Sequence, residues 1–349
     1  FNAIVLLTNL TLVNGTTLTG SGVCTDYCGG AIYAEQDSQV AIIDSEIRDS
    51  FGNSGGGIHN SGEMIISGTE ISGNRAAFDG GGIRNSGGLT ITYSTVVSNV
   101  TDMIVGGAGI YNDPSSELTL DNSTVAYNQA EGVGGAVYGN SMASLIINQS
   151  TLAHNSATGS GGGIYLVSNS MFTTTATVVN STISDNMAGG NGGGIYNSAS
   201  LTSTIQMTLT QSTLYENTAV SVGGLYQTAD GTSTAVSLIQ NSIIAGSNGD
   251  NCSGVNGDGY SLSDDTTCTG FRQGDPRLAP LANNGGATET HALMVGSTAV
   301  TLGNPTICQS SPVNGLDQRG FPRPVTVCDA GAFEADDGYR LYLPFVVRN

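Results

Sequence analysis

The sequence predicts an all-β protein, a right-handed parallel β-helix of about eight to nine coils with a disulfide-containing C-terminal cap. Three observations predict it: a glycine motif that recurs along the chain, columns of aliphatic residues in step with it, and short segments in which apolar and polar residues alternate. Three short strands in one repeat cannot bury a hydrophobic face alone. Stacked repeats can, because each places its aliphatic side chains on those of its neighbours.

The glycine motif is typified by GGGIYNS at 192–198. A glycine-rich loop that binds phosphate needs a following helix and a lysine, and this chain contains no lysine. We therefore interpret the glycines as corners, where the backbone takes positive φ or packs closely. Related segments are GGAIY at 29–33, GGGIHNS at 55–61, GGGIRNS at 80–86, AGIYN at 108–112, GGAVY at 134–138, GGGIY at 161–165 and GGLY at 223–226.

Three aliphatic columns recur in units of 24–31 residues. The short alternating segments around them, such as LTLDNSTV at 118–125, are typical of strands. The first column is Ile32, Ile58, Ile83, Ile110, Val137, Ile164, Ile195 and Leu225. The second is Ile47, Ile71, Val96, Val125, Leu152, Ile183, Leu214 and Ile243. The third is Ile42, Ile66, Ile91, Leu120, Ile147, Val178, Leu209 and Leu238.

The repeat ends near residue 248, which divides the chain into a β-helix at 1–248, a capping region at 249–335 and a tail strand at 336–349. Six cysteines form three sequence-local pairs, and locality favours disulfides within each pair, although the sequence alone permits 15 pairings. Disulfides indicate an oxidising compartment, so we expect an extracellular or cell-surface location. The pairs are Cys24 with Cys28, Cys252 with Cys268 and Cys308 with Cys328.

The chain is strongly acidic, with a net charge of −19 and nine basic residues, all arginine. Such a charge repels nucleic acid, and we expect no nucleic-acid partner. No run of apolar residues is long enough for a transmembrane helix, so we expect no membrane-spanning segment.

Asparagines recur at one turn position, where their side chains can hydrogen-bond to their copies in adjacent coils: Asn74, Asn99, Asn128, Asn155, Asn186 and Asn217. A second polar column follows the glycine-motif aliphatics and should point outward. Its tyrosines could stack on one another or bind sugar rings through their faces: Tyr111, Tyr138, Tyr165, Tyr196 and Tyr226. His59 and His154 are interpreted as surface substitutions at repeat positions.

Catalytic chemistry has little support in the sequence. Inverting and retaining glycosidases need two facing carboxylates, and the acids of the repeats are scattered. We expect no enzyme activity, no catalytic residue and no cofactor, with a polysaccharide lyase or hydrolase as the remaining enzyme class. Asp250, Asp258, Asp264 and Asp265 are weak calcium candidates, because their loop is rich in oxygen ligands but lacks EF-hand spacing.

The C-terminal region carries DPRLAPLANNGG at 275–286, THAL at 290–293, DQRGFPRP at 317–324 and CDAGAFE at 328–334. Together with the glycine motif and NSTISDN at 180–186, these segments resemble the choice-of-anchor Q proteins. The resemblance covers nearly the whole chain and implies a secreted bacterial β-helix without established catalytic residues. AVTLGNPTIC at 299–308 departs from the family pattern, because it lacks an acidic residue expected after its first two residues.

The tail alternates apolar residues in a way that would suit an edge strand: Leu341, Leu343, Phe345 and Val347. One hypothesis is that this tail docks on the open N-terminal coil of another copy and builds a head-to-tail filament. The others are that it folds back on its own cap or acts as a sorting signal. The expected function is a non-enzymatic extracellular structural or adhesive protein, whose partner is itself or another surface component. The alternative is a carbohydrate-binding surface module with glycans as the partner.

Overall fold

The computed structural model of the protein describes residues 4–17, 29–169 and 171–335. Within these ranges the chain winds as a parallel β-helix, and each full coil contributes strands to three sheets. The sheets are called A, B and C in the order in which a coil visits them. All pairings between their strands are parallel, and the register steps by one coil at a time.

Sheet A contains Ile4–Thr8, Gln39–Ile43, Glu63–Ser67, Gly88–Thr92, Glu117–Asp121, Ser144–Asn148, Thr173–Val179, Thr204–Thr210, Thr234–Gln240 and Asn256–Gly257. Sheet B contains Thr11–Val13, Glu46–Arg48, Glu70–Ser72, Thr95–Val97, Thr124–Ala126, Thr151–Ala153, Thr182–Ser184, Thr213–Tyr215, Ile243–Ala245, Leu262–Ser263 and Arg272–Gln273.

Sheet C is bent at the glycine corner into two limbs. The first limb contains Phe51–Ser54, Arg75–Asp79, Val100–Thr101, Gln129–Ala130, Ser156–Ala157 and Met187–Ala188. The second contains Ile32–Ala34, Ile58–Asn60, Ile83–Asn85, Ile110–Asn112, Val137–Asn140, Ile164–Ser168 and Ile195–Ala199. Thr218–Ala229 spans both limbs, and Asn248–Ser253 pairs with it.

The predicted aliphatic columns form one continuous core, with residues such as Ile47, Ile83 and Ile147 fully buried. The last units of the second and third columns are each wrong by one residue. In the second column Ile244, and not Ile243, pairs with Leu214 and belongs to this core. In the third column Ile239 pairs with Leu209 and is fully buried, whereas Leu238 is 50% exposed. Because side chains alternate between the two faces of a strand, a shift of one residue turns the side chain outward.

The corners are only partly built from glycine. Gly55, Gly80 and Gly134 do take positive φ at the bend of sheet C. Two further corners, on either side of sheet B, hold residues with side chains in the same left-handed region. Between sheets A and B these are Asn9, Asp44, Tyr93, Asn122, Gln149, Asn180, Gln211 and Asn241. Asparagine and aspartate tolerate this conformation, so they are compatible with a corner. Tyrosine and glutamine adopt it less readily, and the sequence therefore did not mark their positions as corners.

The parallel pairing continues past residue 248, where the sequence placed the end of the β-helix. Asn248–Ser253 and the short strands as far as Gln273 form a last, irregular coil. Residues 275–335, called the flanking segment below, carry isolated antiparallel bridges and a short helix, Pro305–Gln309, whose N-cap is Asn304. This segment does not continue the stack, and it runs back along the side of the coils.

Candidate binding surface

The tyrosine column lies on the second limb of sheet C. Its five rings stack nearly parallel, with centroids 4.7–5.2 Å apart and interplanar angles of 8–18°. Parallel in-register strands place identical side chains one rung apart, which is close to the preferred separation of stacked rings. Burial raises the pKa of Tyr111 to about 12 and also raises the pKa values of Tyr138 and Tyr165.

This stacking corrects the expectation of an exposed column. Tyr111 is only 6% exposed, and the other four tyrosines are half-buried. A sugar ring that stacks on an aromatic residue needs a free ring face. The faces between adjacent tyrosines are already occupied by their neighbours, and Arg84 lies 5.3 Å from the Tyr111 ring centre on the next rung. The tyrosines therefore stabilise the coil. Only the edges of their rings, and not the faces between adjacent rings, are accessible to a ligand.

A group of charged residues ends the column. Arg84 donates to Asp79 at 2.9 Å and to both carboxylate oxygens of Asp113 at 2.8–2.9 Å. Burial raises the pKa of Asp79, and Arg84 opposes that effect. On the rung before, His59 is 5% exposed and meets Tyr33 edge to face at 5.2 Å. His59 is thus not the surface residue that the sequence predicted.

The predicted asparagine ladder is confirmed. From Asn74 to Asn186, each side-chain Nδ2 donates to the Oδ1 of the next asparagine at 2.9–3.0 Å, and the backbone N–H donates to the same oxygen, as seen for Asn99 and Asn128. Every Nδ2 also donates to a backbone carbonyl of the preceding coil, such as Val96 O for Asn128. These side chains are fully buried, so the ladder is a structural element inside the corner.

A second ladder was missed by sequence reasoning. Between sheets A and B, the backbone N–H of each residue in one column donates at 3.1–3.3 Å to the hydroxyl of its copy one coil on: Ser45, Thr69, Ser94, Ser123, Ser150, Ser181, Ser212, Ser242 and Ser261. The signal was the S or T that precedes each sheet B strand by one position, as in NST. A shorter asparagine ladder joins Asn60, Asn85 and Asn112.

The disulfides Cys252–Cys268 and Cys308–Cys328 are present as predicted. The pair Cys24 and Cys28 lies outside the described residues, as do the tail candidates Leu341, Leu343, Phe345 and Val347. In the described part of the chain, no group of three or more ligand-type side chains converges on a metal position. Asp264 and Asp265 instead accept hydrogen bonds from Asn251, and Asp258 accepts from the Tyr260 backbone.

The flanking segment uses its motif residues to hold the coils. Gln318 of DQRG bonds to Thr182 Oγ1 at 2.7 Å, to Thr151 Oγ1 at 2.9 Å and to Ser150 O at 3.3 Å. His291 of THAL meets Ser184 Oγ at 2.7 Å. The motifs that carry the family resemblance therefore form an interface along sheet B and its neighbouring corner.

A groove runs along the first limb of sheet C, with a volume of about 460 Å³. Its floor consists of small side chains, one from each of five successive rungs: Thr101, Ala130, Ala157, Ala188 and Ala219. The rims combine polar and apolar side chains: Val100, Gln129, Ser156, Met187 and Thr218 on one side, and Glu131, Thr158 and Val220 on the other. Sequence reasoning did not find this groove, because an alternation of only two or three residues per coil is too short to stand out.

The fold and these surfaces define a right-handed parallel β-helix repeat protein. Residues 3–175 match the family model described as a right handed beta helix region, and residues 180–198 match the Chlamydia polymorphic membrane protein repeat. Searches of curated proteins and of solved structures gave no match. In the described residues no helix is long and apolar enough to cross a membrane.

Proposed function

We propose that this chain is a non-enzymatic extracellular surface protein whose β-helix is a rigid adhesive or structural rod. The match to a repeat of a bacterial membrane protein family supports a surface location, and the disulfides suit an oxidising compartment. The resemblance to choice-of-anchor Q proteins points the same way.

The observation that carries the proposal is how the coil uses its polar side chains. The asparagine and serine ladders join one coil to the next. The buried Asp79 and the half-buried Asp113 are both bonded to Arg84. A glycosidase needs one carboxylic acid and one carboxylate facing a substrate, whereas these two share one arginine. This use of the polar side chains supports a rigid rod and gives no support to a catalytic role.

Adhesion is tested with beads that carry the purified chain, scored for retention on films of neutral polysaccharide, films of collagen and intact bacterial cells. We expect retention on at least one surface and no release of reducing ends or unsaturated sugars from a panel of neutral and acidic glycans. Sugar release would overturn the proposal in favour of a lyase or hydrolase. Absence of retention on every surface would overturn the adhesive role.

A filament is the second candidate, and the N-terminal end supports it. Ile4–Thr8 pairs with Gln39–Ile43 on one side only among the described residues, and Ile4 and Leu6 are 79% and 64% exposed. An apolar edge strand invites a further parallel strand. Electron microscopy of the full chain, compared with a chain ending at Gly338 and with Leu6→Lys, tests it. Filaments from the full chain alone support assembly through both ends, and single rods from all three reject it.

A further inference from the structure

The residues that line the groove on the first limb of sheet C belong neither to the polar ladders nor to the tyrosine column. Its floor is apolar, with Ala130, Ala157 and Ala188 each 4% exposed at the bottom. Along its rim, Met187 is 54% exposed and Val220 is 79% exposed. Ligand-binding clefts commonly have a mostly apolar lining with a few polar groups, because apolar contacts supply affinity and the polar groups fix orientation.

We propose that this groove binds a linear, uncharged glycan along the axis of the β-helix. The proposal rests on the adhesive function above and names its ligand class. Electrostatics argues for an uncharged polymer. The chain has a net charge of −19, and the groove lining carries the carboxylate of Glu131 with no cationic side chain. An acidic polysaccharide or a nucleic acid would be repelled from such a surface.

Backbone pairing argues against an extended peptide. A bound peptide strand gains its affinity by adding to a free sheet edge. The groove strand Gln129–Ala130 already pairs with Val100–Thr101 on one side and with Ser156–Ala157 on the other. The rung that follows Ser156–Ala157 is Met187–Ala188, and it pairs on both sides as well. Main-chain donors and acceptors at the floor are therefore in use, and recognition depends on side chains.

The side chains suit a sugar polymer. Gln129, Ser156 and Thr218 place amide and hydroxyl groups along one rim, where they can bond to sugar hydroxyls. The alanine methyls can contact the apolar C–H faces of the rings.

The repeat of the groove matches a linear chain. Its lining comes from five rungs, and adjacent rungs are about 4.8 Å apart. The floor is therefore roughly 19 Å long and repeats at a spacing similar to one ring of an extended β-linked glycan. We expect affinity to rise with ligand length until the chain fills the groove, at about four sugars.

Calorimetric titration of the full chain with β-1,4-linked gluco-, xylo-, manno- and chito-oligosaccharides of graded length tests the inference. We expect at least one series to bind, with Kd values that stop improving once the groove is filled. Met187→Glu and Gln129→Ala should each weaken that binding by about tenfold or more, which is about 1.4 kcal/mol. Val236→Glu is the matched control, because Val236 is 51% exposed on sheet A outside the groove. It should leave the Kd unchanged.

Three outcomes would overturn the inference: no binding of any neutral series, equal weakening by Val236→Glu, or tighter binding of polygalacturonate than of neutral chains. Bead retention separates this inference from the adhesive proposal. If Met187→Glu beads still adhere while the native chain binds no neutral glycan, the adhesive function stands and the groove inference fails. If the oligosaccharides bind with the expected variant pattern but native beads adhere to nothing, the groove inference stands alone.

Discussion

His291 and Ser184 are 107 residues apart in the sequence, and their side chains meet at 2.7 Å inside the contact between the flanking segment and sheet B. His291 Nδ1 lies 2.8 Å from Ala279 O, an acceptor, so this nitrogen carries the proton. The Ser184 hydroxyl lies 2.7 Å from both His291 Nε2 and Asp185 Oδ2, and it can donate its single proton to only one of them. The ring also meets Tyr215 edge to face at 5.0 Å and is 2% exposed.

This contact predicts a pH dependence. Burial lowers the pKa of His291, although Asp185 and Glu216 oppose that effect and the nearby His154 adds to it. The unfolded chain therefore takes up a proton at a higher pH than the folded chain. The stability that His291 contributes is present above about pH 6.5 and is lost as the pH falls through the folded pKa. We expect the free energy of unfolding of the native chain to fall relative to that of His291→Gln across this range.

Urea unfolding of both chains between about pH 8 and pH 5 measures the difference. Subtracting the two curves removes the contribution of Glu334, whose pKa is raised to about 7 by burial and whose slope has the opposite sign. Parallel curves for the two chains would show that His291 does not titrate in the folded interface.

Removing one partner of the ion pair between Arg323 and Glu334 is expected to lower the free energy of unfolding by a large amount. Arg323 is 3% exposed, donates to Glu334 at 2.8 Å and also donates to Leu316 O and Gly331 O. Removing one partner of a buried pair leaves the other charge uncompensated, which costs about 3–5 kcal/mol. We expect Glu334→Leu to lower the free energy of unfolding by an amount in this range, measured by urea titration.

Arg75→Ala is the matched control for that variant. Arg75 donates to Asp102 at 2.8 Å, but its side chain is 62% exposed, and solvent screens exposed pairs. We expect little change in its unfolding midpoint. A loss as small in Glu334→Leu as in Arg75→Ala would show that the buried charge of Arg323 does not depend on Glu334 for compensation.

The asparagine ladder predicts that a central rung cannot be replaced by an apolar residue. Asn128→Leu removes the acceptor of the Asn99 backbone N–H and the donor to Val96 O. Each orphaned buried group costs about 1–3 kcal/mol. We expect a loss of several kcal/mol in chemical unfolding and faster hydrogen exchange at Asn99. Asn256→Leu, at an exposed strand position, should change neither, and similar losses in both variants would mean that the ladder is not what stabilises the corner.

The tyrosine column predicts that thermal stability depends on the stacking of the rings and not on their hydroxyl groups. Tyr165 lies between Tyr138 and Tyr196, with centroid distances of 5.2 Å and 4.7 Å. Tyr165→Phe keeps both stacks, whereas Tyr165→Ala loses both, at about 0.5–1.5 kcal/mol for each pair plus the lost burial. We expect the melting temperature to fall for Tyr165→Ala and to stay near the native value for Tyr165→Phe. Equal melting temperatures for the two variants would contradict the structural role.

The sequence by itself determined the architecture, because the same pattern of buried aliphatic positions recurs in every repeat. One aliphatic at Ile83 is weak evidence, but a column from Ile58 to Leu225 at regular spacing indicates parallel stacking. The same repetition revealed the asparagine ladder, since each copy must meet the next in register. Locality in the chain was enough to pair Cys252 with Cys268 and Cys308 with Cys328.

Only the tertiary structure decided which residues from distant parts of the chain are in contact. Contacts such as Gln318 with Thr182 join residues 136 positions apart, and no local pattern encodes them. The exposed fraction of Tyr111 depends on its neighbours along the axis, and alternation along one strand does not report it. The groove likewise exists only once five coils have placed Thr101, Ala130 and their copies in line. Periodicity encodes contacts between equivalent residues of adjacent coils, whereas contacts between non-equivalent residues follow from the three-dimensional path of the chain.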